Sequence, residues 1–338
     1  MSADGHAATE LHHPRARIKI APLPDGRRRI TVTATDPALH VQGSPCTTSY
    51  PDALIELLLA HKGPGYVCDE IARDEDPLYA SVNVDVGVFG FVPPEDFAGR
   101  TLLDFGCGSG SSTMILGRRL PDTRIVGIDL EAEHLRVAEA RARHYGFGNV
   151  SFHVSPSGDR LPDGLGEVDY ITLNAVFEHL LPDERRPLME QLWRRLRPGG
   201  VLFIQETPNR LCPIEMHSTG IPLLNYVPDG LAHRITRRYS SRFPADVSWP
   251  ELLRRGIRGG TVRGILRLLP REAGSPVVVK PILPGIAGQA DLWHRCAVLR
   301  NGASPKRSAV RLAFKLAHAV TRHDFTPEII LAIRKDAG

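Results

Sequence analysis

Apolar and polar positions are arranged differently in successive parts of this chain. Residues 17–20 and 30–34 alternate between the two on either side of Pro24-Asp25-Gly26, which predicts a small hairpin. Residues 51–61 (Pro-Asp-Ala-Leu-Ile-Glu-Leu-Leu-Leu-Ala-His) read as a short apolar helix, with Ser49 as its cap and Gly63 beyond its end. Residues 69–77 are acidic and turn-forming, and they lead to Tyr79 and an apolar run over 84–92. From about residue 100 short continuous apolar runs take over, at 102–105, 124–129, 150–154, 168–174 and 201–204, with helical stretches at 131–145 and 183–196. Buried strands alternating with helices predict an α/β, doubly wound, mostly parallel sheet.

The first of these runs ends in Asp104-Phe105-Gly106-Cys107-Gly108-Ser109-Gly110. Glycine at 106, 108 and 110 removes the Cβ atoms that would keep a ligand off the backbone. The helix opening at Ser111-Ser112-Thr113 offers amides without intrahelical partners. The second run, Arg124-Ile125-Val126-Gly127-Ile128-Asp129, ends in an acid 19 positions past Gly110, where a doubly wound fold places its ribose-binding carboxylate. Asp129 is the expected ribose ligand, with capping of the following helix as its alternative role.

The glycine spacing separates two kinds of cofactor. A dinucleotide fingerprint runs G-x-G-x-x-G, whereas this chain has D-x-G-x-G-x-G with Ser111 in the third-glycine slot. Asp104 would repel a pyrophosphate and pair with the amino group of an amino-acid-bearing cofactor. Here the chain resembles the class I S-adenosylmethionine-dependent methyltransferases, whose first motif is D/E-x-G-x-G-x-G. Later motifs follow in order: Val150-Ser151-Phe152-His153-Val154, Gly158-Asp159-Arg160-Leu161-Pro162, Val168-Asp169-Tyr170-Ile171-Thr172-Leu173-Asn174, Val176-Phe177-Glu178-His179-Leu180, and Arg197-Pro198-Gly199-Gly200 before Val201-Leu202-Phe203-Ile204.

The resemblance covers residues 100–206 and adds a closing strand at 328–333. It implies a Rossmann-like seven-stranded sheet binding S-adenosyl-L-methionine and leaving S-adenosyl-L-homocysteine. The cofactor residues would be Asp104, Gly106, Cys107, Gly108, Gly110, Asp129, Leu130, Asp159 and Asn174, with Asp159 facing the adenine although its turn is one residue short. Cys107 is read as a small packing residue rather than a reactive thiol.

The remainder of the chain frames this core. Residues 1–98 form an N-terminal extension, hairpin plus helix, that covers cofactor and substrate; residues 99–338 form the methyltransferase domain. Within it, residues 209–323 are far too long for a simple connection and predict a helical lid, with 275–282 returning as a sixth strand. Residues 206–217 are too proline-rich for a helix and lie on the substrate side. The formal charge of +4 conceals a basic stretch, 207–323, with 19 Lys and Arg against 6 Asp and Glu. That imbalance suits an anionic acceptor.

Within the lid, Val310, Ala313, Phe314, Ala317 and Val320 form one helical stripe, and Arg307, Arg311, Lys315, His318 and Arg322 another. A surface helix packed on the core is the expectation, and peripheral membrane contact through 305–323 the alternative. The residues 1–14 are polar and histidine-bearing without an apolar h-region, and no apolar run could span a bilayer, so a cytoplasmic protein is expected. The five cysteines show no C-x-x-C spacing and are read as reduced thiols, with neither a disulfide framework nor a metal site expected.

Methyl transfer to a hydroxyl is helped by a base. The ionisable residues at the strand ends are Glu178, His179, Glu206, Glu215 and His217. His179 is the first choice for its near-neutral ordinary pKa, with Glu178 beside it and His217 and Glu215 as alternatives. Helix capping by the Glu178-His179 pair is the competing role. Glu206, Glu215 and His217 are assigned to the substrate. Asn174-Ala175-Val176-Phe177 stands where amide and nucleobase methylating enzymes carry N/D-P-P-Y/F, which points to a small-molecule hydroxyl of sugar, lipid-linked or natural-product type. RNA or protein methylation through the basic lid, an NAD-dependent oxidoreductase and a non-catalytic Rossmann-like module are the alternatives.

Overall fold

In the computed structural model, which describes residues 8–336, a four-stranded antiparallel sheet stands beside a seven-stranded mixed sheet. Residues 1–7 and 337–338, which end the two predicted domains, lie outside the described residues. The small sheet runs β1 (Thr9–His13), β2 (Ala16–Pro22), β3 (Arg28–Ala34) and β4 (Cys46–Thr48) in spatial order. The β2–β3 pair is the predicted hairpin. Its buried face, Ile18, Ile20, Ile30 and Val32, packs on α1 (Asp52–Lys62) and α2 (Val67–Glu75).

Two expectations fail in this region. Pro51, not Ser49, caps α1; the Ser49 amide donates instead to Glu75 at 3.0 Å. The acidic stretch predicted as a turn is helix α2, because its buried acids find partners on other elements: Asp69 accepts from Gln42 and Tyr79, and Asp74 pairs with Arg118 at 2.6 Å. Two of the scattered cysteines meet, with the thiols of Cys46 and Cys68 2.7 Å apart.

After α3 (Ala80–Gly87) the large sheet follows: β5 (Thr101–Phe105), α4 (Ser111–Arg119), β6 (Arg124–Asp129), α5 (Ala132–Tyr145), β7 (Val150–Val154), β8 (Val168–Asn174), α6 (Pro182–Arg195) and β9 (Leu196–Pro208). Next come α7 (Asp229–Tyr239), α8 (Trp249–Arg254), α9 (Val262–Leu266), β10 (Ser275–Val278), α10 (Gln289–Asn301), α11 (Pro305–Thr321) and β11 (Glu328–Asp336). The spatial order is β10-β11-β9-β8-β5-β6-β7, with β11 antiparallel to both neighbours.

Alternate residues of the strands feed two cores. Leu103, Val126, Ile171 and Leu173 meet Leu188, Leu192 and Trp193 of α6, while Leu102, Ile125, Tyr170 and Phe203 meet α3, α4 and α10. Strand order reverses at β5 and β8, so the ligand crevice opens where their carboxyl ends diverge.

β10 divides the predicted lid in two. Residues 209–274 carry α7 and α8 around a small core of their own that includes Leu224, Leu252 and Ile257, and α9, whose Ile265 packs into the main core. Residues 279–327 carry α10 and α11 across to β11. Helix α11 has no buried residue, and only part of its apolar stripe packs inward, with Phe314 against Trp293. Arg311 and Lys315 reach in to the buried Asp291 of α10 at 2.6 and 3.3 Å, while Leu312, Leu316 and Val320 face outward. One buried carboxylate attracts the cations more strongly than an alanine-rich stripe can fill a core. Among the described residues no helix is long and apolar enough to cross a membrane.

Candidate active site

β5 delivers the chain into three left-handed glycines, Gly106, Gly108 and Gly110, with φ of 74°, 55° and 86°. A Cβ on Gly106 would come within 2.4 Å of Val176, and one on Gly110 within 2.8 Å of Ala138. At Gly108 it would meet nothing within 4 Å, so this part of the turn presents bare backbone to a ligand. Asp104 is buried and accepts hydrogen bonds from Thr113 (2.6 Å), Thr172 (2.9 Å) and Ser112 (3.0 Å). Burial pushes its pKa up against the pull of those hydroxyls. Its carboxylate is turned into the loop, where it ties β5 to α4 and β8. Cys107 is buried beside it.

Asp129, at the carboxyl end of β6, accepts from the Gly108 amide at 2.9 Å and the Glu131 amide at 3.0 Å, with the His134 ring also 3.0 Å away. Burial works to raise its pKa, but His134 and the two amides outweigh it and hold the carboxyl below its ordinary value. A charged acid therefore sits over the open side of the glycine turn. The neighbouring Leu130 is 49% exposed, Asp159 accepts from Ser157 at 2.7 Å, and the Asn174 side-chain oxygen is buried without a partner.

A supporting layer escaped the sequence reading. Ser109 donates to Glu70 of α2 at 2.5 Å, and Arg141 of α5 donates to the Ser109 carbonyl at 2.8 Å and the Glu70 carbonyl at 2.7 Å. One signal existed: Arg141 falls on the same helical face as the buried Leu135, Val137, Ala138 and Ala142, where a charge needs a partner.

Beyond β8 the chain passes through Ala175, at φ 53°, into a single turn at Phe177–His179. Glu178 is fully buried; one oxygen receives a long hydrogen bond from Thr207 (3.4 Å) and the other has no partner. Burial, then the nearby Glu206 and Glu328, push its pKa up to about 8. The His179 Nδ1 lies 2.7 Å from the Arg254 carbonyl oxygen, so Nδ1 carries the proton and Nε2 keeps its lone pair, 3.7 Å from Glu178.

His217 comes from the lid, its ring centroid 5.8 Å from that of His179. Its ring rests on Gly256, where φ is 80° and a Cβ would lie 2.7 Å from the imidazole and 3.0 Å from Glu178. Burial holds the pKa of both histidines below the ordinary value, which favours neutral rings. The structure thus brings together Glu178, His179 and His217. Glu215 points elsewhere: buried, it accepts from the amides of Ser218 (2.8 Å) and Thr219 (2.6 Å) and caps its own turn. Glu206, at φ 55°, lies 3.7 Å from Arg300.

Residues 102–200 match the methyltransferase domain family. This segment resembles the class I S-adenosylmethionine-dependent methyltransferases, as the sequence motifs had implied. Over 119 residues the chain is 40% identical to the trans-aconitate 2-methyltransferase of Azoarcus sp. (strain BH72), covering 35% of this chain and 42% of that protein. It is 34% identical to the arsenite methyltransferase of Aquipseudomonas alcaligenes, covering 38% and 40%. It is 35% identical to the magnesium-protoporphyrin O-methyltransferase of Rhodobacter capsulatus, covering 29% and 42%. The chain therefore spans about two fifths of the length of these curated relatives.

The residues of this segment form a donor set that fits S-adenosylmethionine. Open backbone at Gly108 and the first amides of α4 suit the amino-acid portion, charged Asp129 the ribose hydroxyls, and exposed Leu130 a flat base. Asn174 offers its unpartnered oxygen to an amino group. His217 also lines a cleft of 740 Å³ floored by Ile214, Met216, Trp293 and Phe314, with Lys306 and Arg307 at its wall.

Proposed function

We propose that the protein transfers the methyl group of S-adenosylmethionine to a hydroxyl of a small molecule that combines an apolar body with an anionic group, of the sugar, lipid-linked or natural-product type. The observation that carries this reading is the continuity between the Glu178–His179–His217 cluster and the cleft, which share His217. Trp293 and Phe314, edge to face at 5.3 Å, give an apolar body a surface to lie on. Lys306 and Arg307 supply the countercharge. The acceptors named for the three relatives differ from one another, so the domain match does not choose among them.

The bound cofactor supplies an electrophilic methyl group on a sulfonium sulfur. The protein's part is to align the acceptor oxygen, exclude water and draw off the hydroxyl proton. Ionisation of the hydroxyl depends on His179 Nε2, which the Arg254 carbonyl keeps unprotonated and aimed toward Glu178. In a His179→Gln variant, turnover should fall by roughly 10²–10⁴-fold while S-adenosylhomocysteine affinity stays nearly constant. Equal loss of both would contradict the assignment.

The outward Leu312, Leu316 and Val320 of α11, with Lys306 at its first turn, also support peripheral membrane contact that would deliver an apolar acceptor. Cosedimentation with anionic vesicles, abolished by Leu316→Glu, is the expected result. Identical sedimentation of both proteins would reject it.

A further inference from the structure

We infer that Glu178, His179 and His217 hold a divalent cation of the zinc, cobalt or manganese kind, and that His179 acts on the acceptor through this cation. The inference takes from the proposed function only the place of the acceptor; the cation site itself stands on geometry. Among the described residues this is the one group of three His, Cys, Asp or Glu side chains whose ligand atoms converge, all within 4.8 Å of one another. Metal bonds of about 2.0–2.2 Å to nitrogen and oxygen put neighbouring ligand atoms roughly 3–3.5 Å apart. Glu178 and His179 are already at 3.7 Å. Exposed His217 is the member free to close the remaining gap by rotating its side chain.

Three independent features agree with a cation. A fully buried Glu178 oxygen without a hydrogen-bond partner is costly unless something positive meets it, and it lies on the His179 side. The Nδ1–H of His179 donates to a backbone carbonyl, the outer contact that orients a ligating imidazole and leaves Nε2 for the metal. Gly256 passes under Glu178 and His217 in a conformation that leaves no room for a Cβ, so a left-handed glycine lets the two side chains converge.

Two imidazoles and one carboxylate suit a borderline transition-metal ion better than magnesium or calcium, which favour all-oxygen sets. Three protein ligands leave coordination positions open, and His217 borders the cleft from which an acceptor hydroxyl would arrive. The cation lowers the pKa of that hydroxyl, whose proton passes to solvent beside His217, leaving the oxygen anionic for the methyl group.

The test uses the full chain, stripped with a chelator and titrated with Co²⁺ alone. One cobalt per chain should bind with visible ligand-field bands. His217→Ala, at an exposed position, should lose those bands and bind cobalt at least about tenfold more weakly; Glu178→Gln should do the same. Absence of the bands in the unsubstituted protein, or bands unchanged in both His217→Ala and His179→Ala, would overturn the cation. Calorimetry with S-adenosylhomocysteine on the same stripped protein separates the two readings. Binding of that ligand by a protein that shows no cobalt bands refutes only the metal site, and cobalt bands without binding of that ligand support the metal site and refute the methyltransferase reading.

Discussion

The Ser109 hydroxyl, in the middle of the glycine turn, donates to the Glu70 carboxylate at 2.5 Å across 39 residues of sequence. Arg141, with no exposed side-chain surface, lies 3.5 Å from the same carboxylate and bonds the backbone of both partners. The N-terminal extension is therefore part of the cofactor loop's foundation: α2 and α5 grip the turn from behind while its open face at Gly108 stays clear.

Removing the arginine should expose that dependence. Arg141→Ala leaves Glu70 as a buried charge without its guanidinium and should cost about 3–5 kcal/mol of stability. Thermal unfolding checks the loss. In whatever fraction stays folded, S-adenosylhomocysteine should bind more weakly than in the parent, because Ser109 has lost its brace.

The same pair sets an acid limit. Burial works to raise the pKa of Glu70, but Arg141, Lys62, Ser109 and Arg73 outweigh it and hold the carboxyl below its ordinary value. The folded state thus binds a proton less readily than the unfolded one. Stability from Glu70 is fully present above the ordinary glutamate pKa and is lost as pH falls through the depressed one. Denaturant midpoints measured from pH 6 downward should decline, and Glu70→Gln, already weakened, should decline less steeply over the same window.

Much of this arrangement was legible in the sequence because parallel strands buried on both faces are written as continuous apolar runs. That made β5 through β9 and the glycine turn readable. β1 and β4 were not, since Thr9–His13 has a single apolar residue, Leu11, and Cys46–Thr48 is only 3 residues long. Helix α2 was hidden by acids whose partners, Arg118 among them, come from elsewhere in the chain. The orientation of α11 turned on the single buried carboxylate of Asp291. Glu178 and His179 stood out as a pair, but their meeting with His217 depends on how α8 and Gly256 bring the lid back over β8.

Gly256 offers a test of that convergence. Ala at a φ of 80° costs about 1–2 kcal/mol, and its methyl would push the His217 ring away from Glu178. Gly256→Ala should lower turnover more than tenfold while S-adenosylhomocysteine affinity, set by the glycine turn and Asp129, changes little; steady-state kinetics and calorimetry on one preparation report both.

Asp291 should govern the anchoring of α11. Its carboxylate also accepts from the Ala287 amide at 2.9 Å, so Asp291→Ala strands Arg311, Lys315 and a backbone donor together. Amide hydrogen exchange across Pro305–Thr321 should rise by at least about tenfold, matching the roughly 1.5–3 kcal/mol of charged hydrogen bonding removed. Exchange in β5 and β8 should stay as it was.

Titration of S-adenosylhomocysteine into the folded full-length chain, followed by calorimetry, tests the central claim most directly. A saturable one-to-one heat that weakens at least about tenfold in Asp129→Ala, where the charged partner of the ribose is lost, is the predicted result. A flat titration with protein that unfolds cooperatively, or binding indifferent to Asp129, would contradict it.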